Sequence, residues 1–192
     1  CIRDRLTDTS APACGADGAA AVFGPQKGAS HQDVAVLDEG LAKLCEVAGI
    51  DPATPGLGAA GGVGIGITWL STLLHGNTEH VSIQPGARVV AQANGVVDAL
   101  QDASLVITGE GAFDSQTATG KVVGTLCDLV AEHNPQAVVA IAAGAFNAEV
   151  PKMAGVDPIA VTLSDSTDVR EQLIQAGREI AVAYLNISTI QG

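Results

Sequence analysis

Leu105 to Val123 reads LVITGEGAFDSQTATGKVV, and it holds most of the residues in this chain that could do chemistry. Glu110 and Asp114 are two carboxylates in one segment. Hard carboxylates can hold Mg2+, and one of them can take the proton from a hydroxyl that accepts a phosphoryl group. Gln116, Thr117 and Thr119 add neutral hydrogen-bonding groups. Gly109 and Gly111 break the apolar run, and the backbone N–H groups they free can face an anion. Lys121, at a helix start, adds positive charge beside the positive end of the helix dipole. Judged by spacing alone, a solvated crossover loop between a strand and a helix is the stronger interpretation.

Other chemistries fit less well. A Walker A loop requires G-x-x-x-x-G-K-[ST]; Gly120-Lys121 fits its end, but Ser115 stands at the first glycine and Val122 at the Mg2+-binding hydroxyl. Gly56, Gly58 and Gly61 form G-x-G-x-x-G, which has meaning only directly after a strand; here it follows the loop-like DPATP. Glycines that let a helix pack closely explain Gly61, Gly62, Gly64 and Gly66 better. In FGPQKGAS, Lys27 and Gly28 lie in a turn. An exposed turn lysine is the plainer interpretation, although a lysine in a glycine-rich loop also suits phosphate or carboxylate.

The elements that must position these residues are those of an α/β chain. Ser30 caps a helix over 31–48, with Val34, Leu37, Leu41, Leu44 and Val47 at helical spacing and Gly49 as its stop. The small-residue run LGAAGGVGIGITWLSTLLHG reads as a buried helix. The chain changes character near Gln84-Pro85-Gly86, which divides it into 1–84, part of a glycine-rich α/β domain, and 85–192, a parallel-sheet βαβ portion of Rossmann or flavodoxin-like type. In the second part a helix at 87–101, strands in SLVITG, AVVAIAAG and DPIAVTL, and helices at 121–133 and 168–187 alternate. Such alternation implies right-handed crossovers and a parallel sheet. Ligands sit beyond the carboxyl ends of such strands, where GEGAFDSQ lies.

Composition narrows the partners. The net charge of −12 argues against nucleic acid, because neutralising phosphates along a strand takes clustered Lys and Arg. The cysteines, Cys1, Cys14, Cys45 and Cys127, form no C-x-x-C pair, so a zinc knuckle is not expected. Scattered thiols suit a reduced, cytoplasmic protein. His75 and His80 are poorly spaced for two metal ligands on one helical face. No signal peptide and no membrane span are expected. The chain begins at Cys1, in a loop-like run, which suits a piece of something longer.

Three blocks, GAAAVFGPQKGAS, PGLGAAGGVGIG and LVITGEGAFDSQTATGKVVG, closely resemble the glycerate kinase family of the bacterial, two-domain type, in family order and over nearly the whole chain. The resemblance implies ATP-dependent phosphorylation of D-glycerate with Mg2+, on two α/β domains, one of them built from discontinuous segments. It implies Asp114 as base or Mg2+ ligand, with Glu110 second. Lys27 and Lys121 would bind phosphate or the glycerate carboxylate, with Gly28, Gly109, Gly111, Gln116 and Thr117 around them. DTSAPACG resembles a degraded form of the family's DV-x-NPL-x-G turn; Asp8 and Pro12 match, Thr9 and Ala13 depart.

Further departures are Ala112, where family members often have Arg after GEG, and Ser104, where many have Asp. The DSFKGSL-like start, the ADGGEGT-like loop and the SATNDGG-like loop of the family's amino-terminal half do not occur in the chain. It therefore resembles the carboxy-terminal half, whose partners would be ATP, D-glycerate and the missing amino-terminal half. A homodimer through apolar surface that normally meets the absent segments is the accompanying expectation.

Overall fold

The computed structural model describes residues 3–114, 117, 121–150 and 157–190 of the chain. The chain divides into two compact units, Cys1–Val89 and Val90–Gly192.

In the first unit, β1 (Arg3–Thr7) leads into a long loop, α1 (Ala19–Phe23) and a single 3-10 turn at Pro25–Lys27. Then come α2 (His31–Ala48), a second 3-10 turn at Ala59–Gly61, α3 (Val63–His75) and β2 (Val81–Pro85), with α4 (Gly86–Ala93) crossing from the first unit into the second. β1 and β2 pair in parallel, Arg3 opposite Val81 and Thr7 opposite Pro85. Parallel neighbours need a crossover, and the helices between them supply it. β1 was not expected: its charges, RDRLT, hide a strand inside a segment read as turn-rich.

α2 starts and stops as its sequence predicts. Ser30 Oγ accepts the Asp33 N–H at 3.2 Å, and Asp33 Oδ2 accepts the Ser30 N–H at 2.9 Å. This capping box satisfies two end donors at once, and Gly49 closes the helix at φ +65°. α2 and α3 bury Cys45, Ala48 and Ile65 against Ala13 and Leu57.

The glycines before α3 correct the expectation of a continuous, closely packed helix. α3 begins only at Val63, because Gly61 and Gly62 take left-handed φ values of +67° and +88°. A side chain on Gly66 would meet nothing within 4 Å, so it is not a close-packing site. Gly56 and Gly58 have a different task. Their N–H groups donate to the Ser10 and Ala11 carbonyls at 3.2 and 3.0 Å, and Ala13 N–H donates to Pro52 at 2.9 Å. The G-x-G-x-x-G run therefore latches the loop after β1 and does not follow a strand. A Cβ on Gly58 would fall 2.3 Å from the Pro12 carbonyl oxygen, which is why that position admits glycine.

The second unit carries α5 (Val96–Gln101), β3 (Leu105–Phe113), α6 (Val122–His133), β4 (Val138–Phe146), β5 (Ile159–Thr162) and α7 (Val169–Ile190). The helix expected over 87–101 is two helices, parted where Gly95 turns left-handed at φ +71°. β3, β4 and β5 form a parallel sheet in that order. One face buries Val139, Ile141 and Ala143 with Leu100 of α5 and Val123, Leu129 and Val130 of α6. The other buries Ala140, Ile159 and Val161 against Ala176 and Ile180 of α7. Both faces being covered explains why these strands read as unbroken apolar runs. Among the described residues, no helix is long and apolar enough to cross a membrane.

Candidate functional site

β3 does not stop at its glycines. It runs through Gly109 and Gly111 to Phe113, with Gly109 opposite Ala142 and Glu110 opposite Ala143. Gly109 is therefore a ladder residue, and Gly111 lies inside the strand and not in a loop. A Cβ on Gly109 would come within 2.5 Å of the Ala142 carbonyl oxygen, and one on Gly144 within 2.7 Å of that of Gly111. Past these glycines the in-and-out alternation slips by one residue. Val106 and Phe113, an odd number of residues apart, both pack on the α6 side, as do Ile141 and Phe146. The rings of Phe113 and Phe146 stack there at 5.7 Å.

Glu110 thus stands inside the carboxyl end of a parallel strand, and Asp114 is the first residue beyond it. Ligands of parallel sheets collect at that end. Thr117 ties the two together. Its hydroxyl donates to Glu110 Oε1 at 2.8 Å and accepts the Asp114 N–H at 3.1 Å. Its own N–H donates to the Asp114 carbonyl at 3.0 Å. Thr117 is only 1% exposed, so it is an inward brace for the carboxylates and not the ligand-facing donor its position suggested. Gln116 and Thr119 lie outside the described residues.

Lys121 is the N-cap of α6, partly buried and in extended conformation, and the first turn of α6 contains no acidic residue. The positive end of that helix is therefore not offset by a carboxylate of its own. On the next turn, burial pushes the Cys127 thiol up to about 11, with Asp128 and Glu110 adding to the effect against its backbone hydrogen bond.

The remaining expected residues belong to the first unit. Asp8 is exposed and directly follows β1, again at the carboxyl end of a parallel strand. Lys27 is the last residue of the 3-10 turn, and Gly28 ends that turn at φ +92° with its N–H on the Pro25 carbonyl at 3.0 Å. Both are exposed. Sequence reading missed Thr9, which is 8% exposed and whose hydroxyl accepts the Ala11 N–H at 3.1 Å, shaping the loop that Asp8 opens. Thr-x-Ala before Pro12 carried no signal for it.

Among the described residues no three His, Cys, Asp or Glu side chains cluster as a metal cage.

Comparison with known proteins agrees with these features. The glycerate kinase family matches residues 4–191. The chain is 32% identical over 186 residues to a glycerate kinase of Haemophilus influenzae, covering 91% of this chain and 47% of that protein. It is 30% identical over 196 residues to glycerate 2-kinase of Escherichia coli, covering 98% of this chain and 49% of the relative. A crystal structure from Salmonella typhimurium LT2, assigned provisionally as glycerate kinase 2, superposes with a TM-score of 0.55 at 29% identity, over 100% of this chain and 48% of that one. The chain thus spans about half the length of these relatives. With a parallel α/β fold, carboxylates at a strand's carboxyl end and a family match from end to end, the chain belongs to the glycerate kinase family.

Proposed function

We propose that this chain supplies the carboxylate segment of an ATP-dependent kinase that phosphorylates a hydroxyl of D-glycerate, with the rest of the site on the polypeptide that makes the relatives twice as long. The observation that carries the proposal is the pairing of Glu110 and Asp114 through Thr117 at the end of β3, just before the N-terminus of α6. Phosphoryl transfer asks a protein mainly for positioning and for charge stabilisation. Asp114 accepts the proton of the attacking hydroxyl or holds the metal, and Glu110 is the second carboxylate. Asp114 and Glu110 would hold Mg2+, which would supply positive charge against that of the transferring phosphoryl group. Lys121 and the N–H groups opening α6 bind phosphate or the glycerate carboxylate. Lys27 beside Gly28, and Asp8 after β1, are the first unit's own candidates for holding phosphate or carboxylate. ATP as donor makes the cytoplasm the place of work.

The experiment is an ADP-release assay on the full-length protein that contains this chain. ADP formation that requires both ATP and D-glycerate is expected. Binding of Mg·ATP without turnover on D-glycerate would replace the kinase with a nucleotide-binding module.

A further inference from the structure

The Thr117 hydroxyl sits at a junction of three contacts. It gives its proton to Glu110 Oε1 at 2.8 Å and takes the Asp114 N–H at 3.1 Å, while the Thr117 N–H meets the Asp114 carbonyl at 3.0 Å. A hydroxyl is the smallest side-chain group that can donate and accept together. Valine has nearly the same shape and can do neither; serine keeps both functions. With Thr117 only 1% exposed, water does not replace the hydroxyl when it is removed.

From this we infer that Thr117 is the positioning residue of the site: its hydroxyl fixes the rotamer of Glu110 and the backbone direction of Asp114 at once, so that the Glu110 carboxylate and the segment carrying Asp114 are held as one unit. The inference rests on the kinase proposal above and deepens it by assigning a role to a side chain that touches no substrate. A carboxylate at the end of a strand has free rotation about its side-chain bonds. Sites hold their geometry when neighbouring hydrogen bonds lock the acting groups, and misplacement by about 1 Å can cost on the order of 10²-fold in rate. The hydroxyl donates to Glu110 Oε1 and closes the Asp114 turn from the same oxygen. It therefore acts on transition-state alignment more than on substrate affinity, and the signature is a change in kcat with little change in KM.

The test uses the full-length protein with Thr117→Val, Thr117→Ser and Glu110→Gln side by side. Thr117→Val is expected to lower kcat by about tenfold or more, with KM for ATP and for D-glycerate within about threefold of wild type. Thr117→Ser is expected to restore most of kcat, because it restores the hydroxyl alone. A loss in Thr117→Ser as large as that in Thr117→Val would overturn the inference, since keeping the hydroxyl would then not rescue the site. Full activity in Thr117→Val alongside a large loss in Glu110→Gln would overturn the positioning role and leave the kinase proposal standing. Full activity in Glu110→Gln would also overturn the inference, since Thr117 would then hold no working carboxylate, and the kinase activity itself would stand. Amide exchange on the wild-type protein needs no variant to fold: the Asp114 N–H is expected to be protected, and exchange as fast as that of a free loop amide would remove the contact on which the inference stands.

Discussion

Gly109 and Ala142 stand opposite each other in the β3–β4 ladder so closely that a Cβ on Gly109 would lie 2.5 Å from the Ala142 carbonyl oxygen. The obstacle is backbone in a paired strand, which cannot rotate aside. Gly109→Ala is therefore expected to destabilise the fold by about 1–3 kcal/mol through overpacking. Chemical denaturation of the two proteins checks this. An unchanged midpoint would show that the strands separate freely at that point.

Asp114→Asn keeps the shape of the side chain and removes its charge. In the full-length protein kcat is expected to fall by about 10²-fold or more if Asp114 takes the hydroxyl proton or holds the metal. Steady-state kinetics with D-glycerate decide it. A kcat within about threefold of wild type excludes either role.

Much of the fold of each unit was legible in advance, because its signals are local. Ser30 and Gly49 bound α2 with side-chain and left-handed caps, and the apolar runs of β3, β4 and β5 announce strands covered on both faces. Three features escaped because tertiary contacts decide them. β1 is held by pairing with β2, which lies more than seventy residues away, and its charges mask it. Gly109 and Gly111 look like a loop, yet they are where two backbones draw close. Glu110 and Asp114 could be singled out as the chemistry-bearing pair, but nothing in the letters shows that Thr117 turns inward between them; a threonine in a polar run suits solvent equally well.

The glycines around α3 give opposite outcomes in one helix. Gly62 has φ +88°, and a Cβ there would sit 2.7 Å from Leu41 Cδ2, whereas Gly66 lies inside α3 with open space around it. Gly62→Ala is expected to cost about 1–2 kcal/mol through left-handed strain. Gly66→Ala is expected to stabilise by about 0.4–1 kcal/mol by lowering the entropy of the unfolded chain. Shifts of the same sign in the two unfolding curves would contradict the placement of the helix start.

Cys127 provides a pH prediction. Its thiol is pushed up from 9.0 to about 11, first by burial and then by Asp128 and Glu110. Cys14 and Cys45 are shifted in the same direction, also first by burial. The folded state then holds these protons more tightly than the unfolded state. Stability is accordingly level below about pH 9 and is expected to fall as pH rises from there through about 11. Alkylation of Cys127 at pH 8 should run about a hundredfold slower than that of an unperturbed thiol. Peptide mapping after timed iodoacetamide treatment reads that ratio directly.

The 192-residue chain alone is expected to turn over D-glycerate at less than about a tenth of the full-length rate, a difference of about 1.4 kcal/mol in barrier or more. It is acidic, and phosphoryl transfer needs positive charge around the phosphates. Equal-concentration assays of the two proteins compare them. A rate above that tenth would show that these residues suffice.

One property of β3 bears on all such work with the isolated chain. Among the described residues, this nine-residue strand has a ladder partner on one side only. Ile107 is 56% exposed there, and Gly109 and Gly111, on the same face, carry no side chain that could ward off a neighbour. Proteins usually blunt such a margin with outward charges, prolines or a covering helix. Left bare, it is a template that a second copy can extend, and crowding two templates together favours growth over dispersal. Rising concentration of the isolated chain is then expected to draw copies together along this margin.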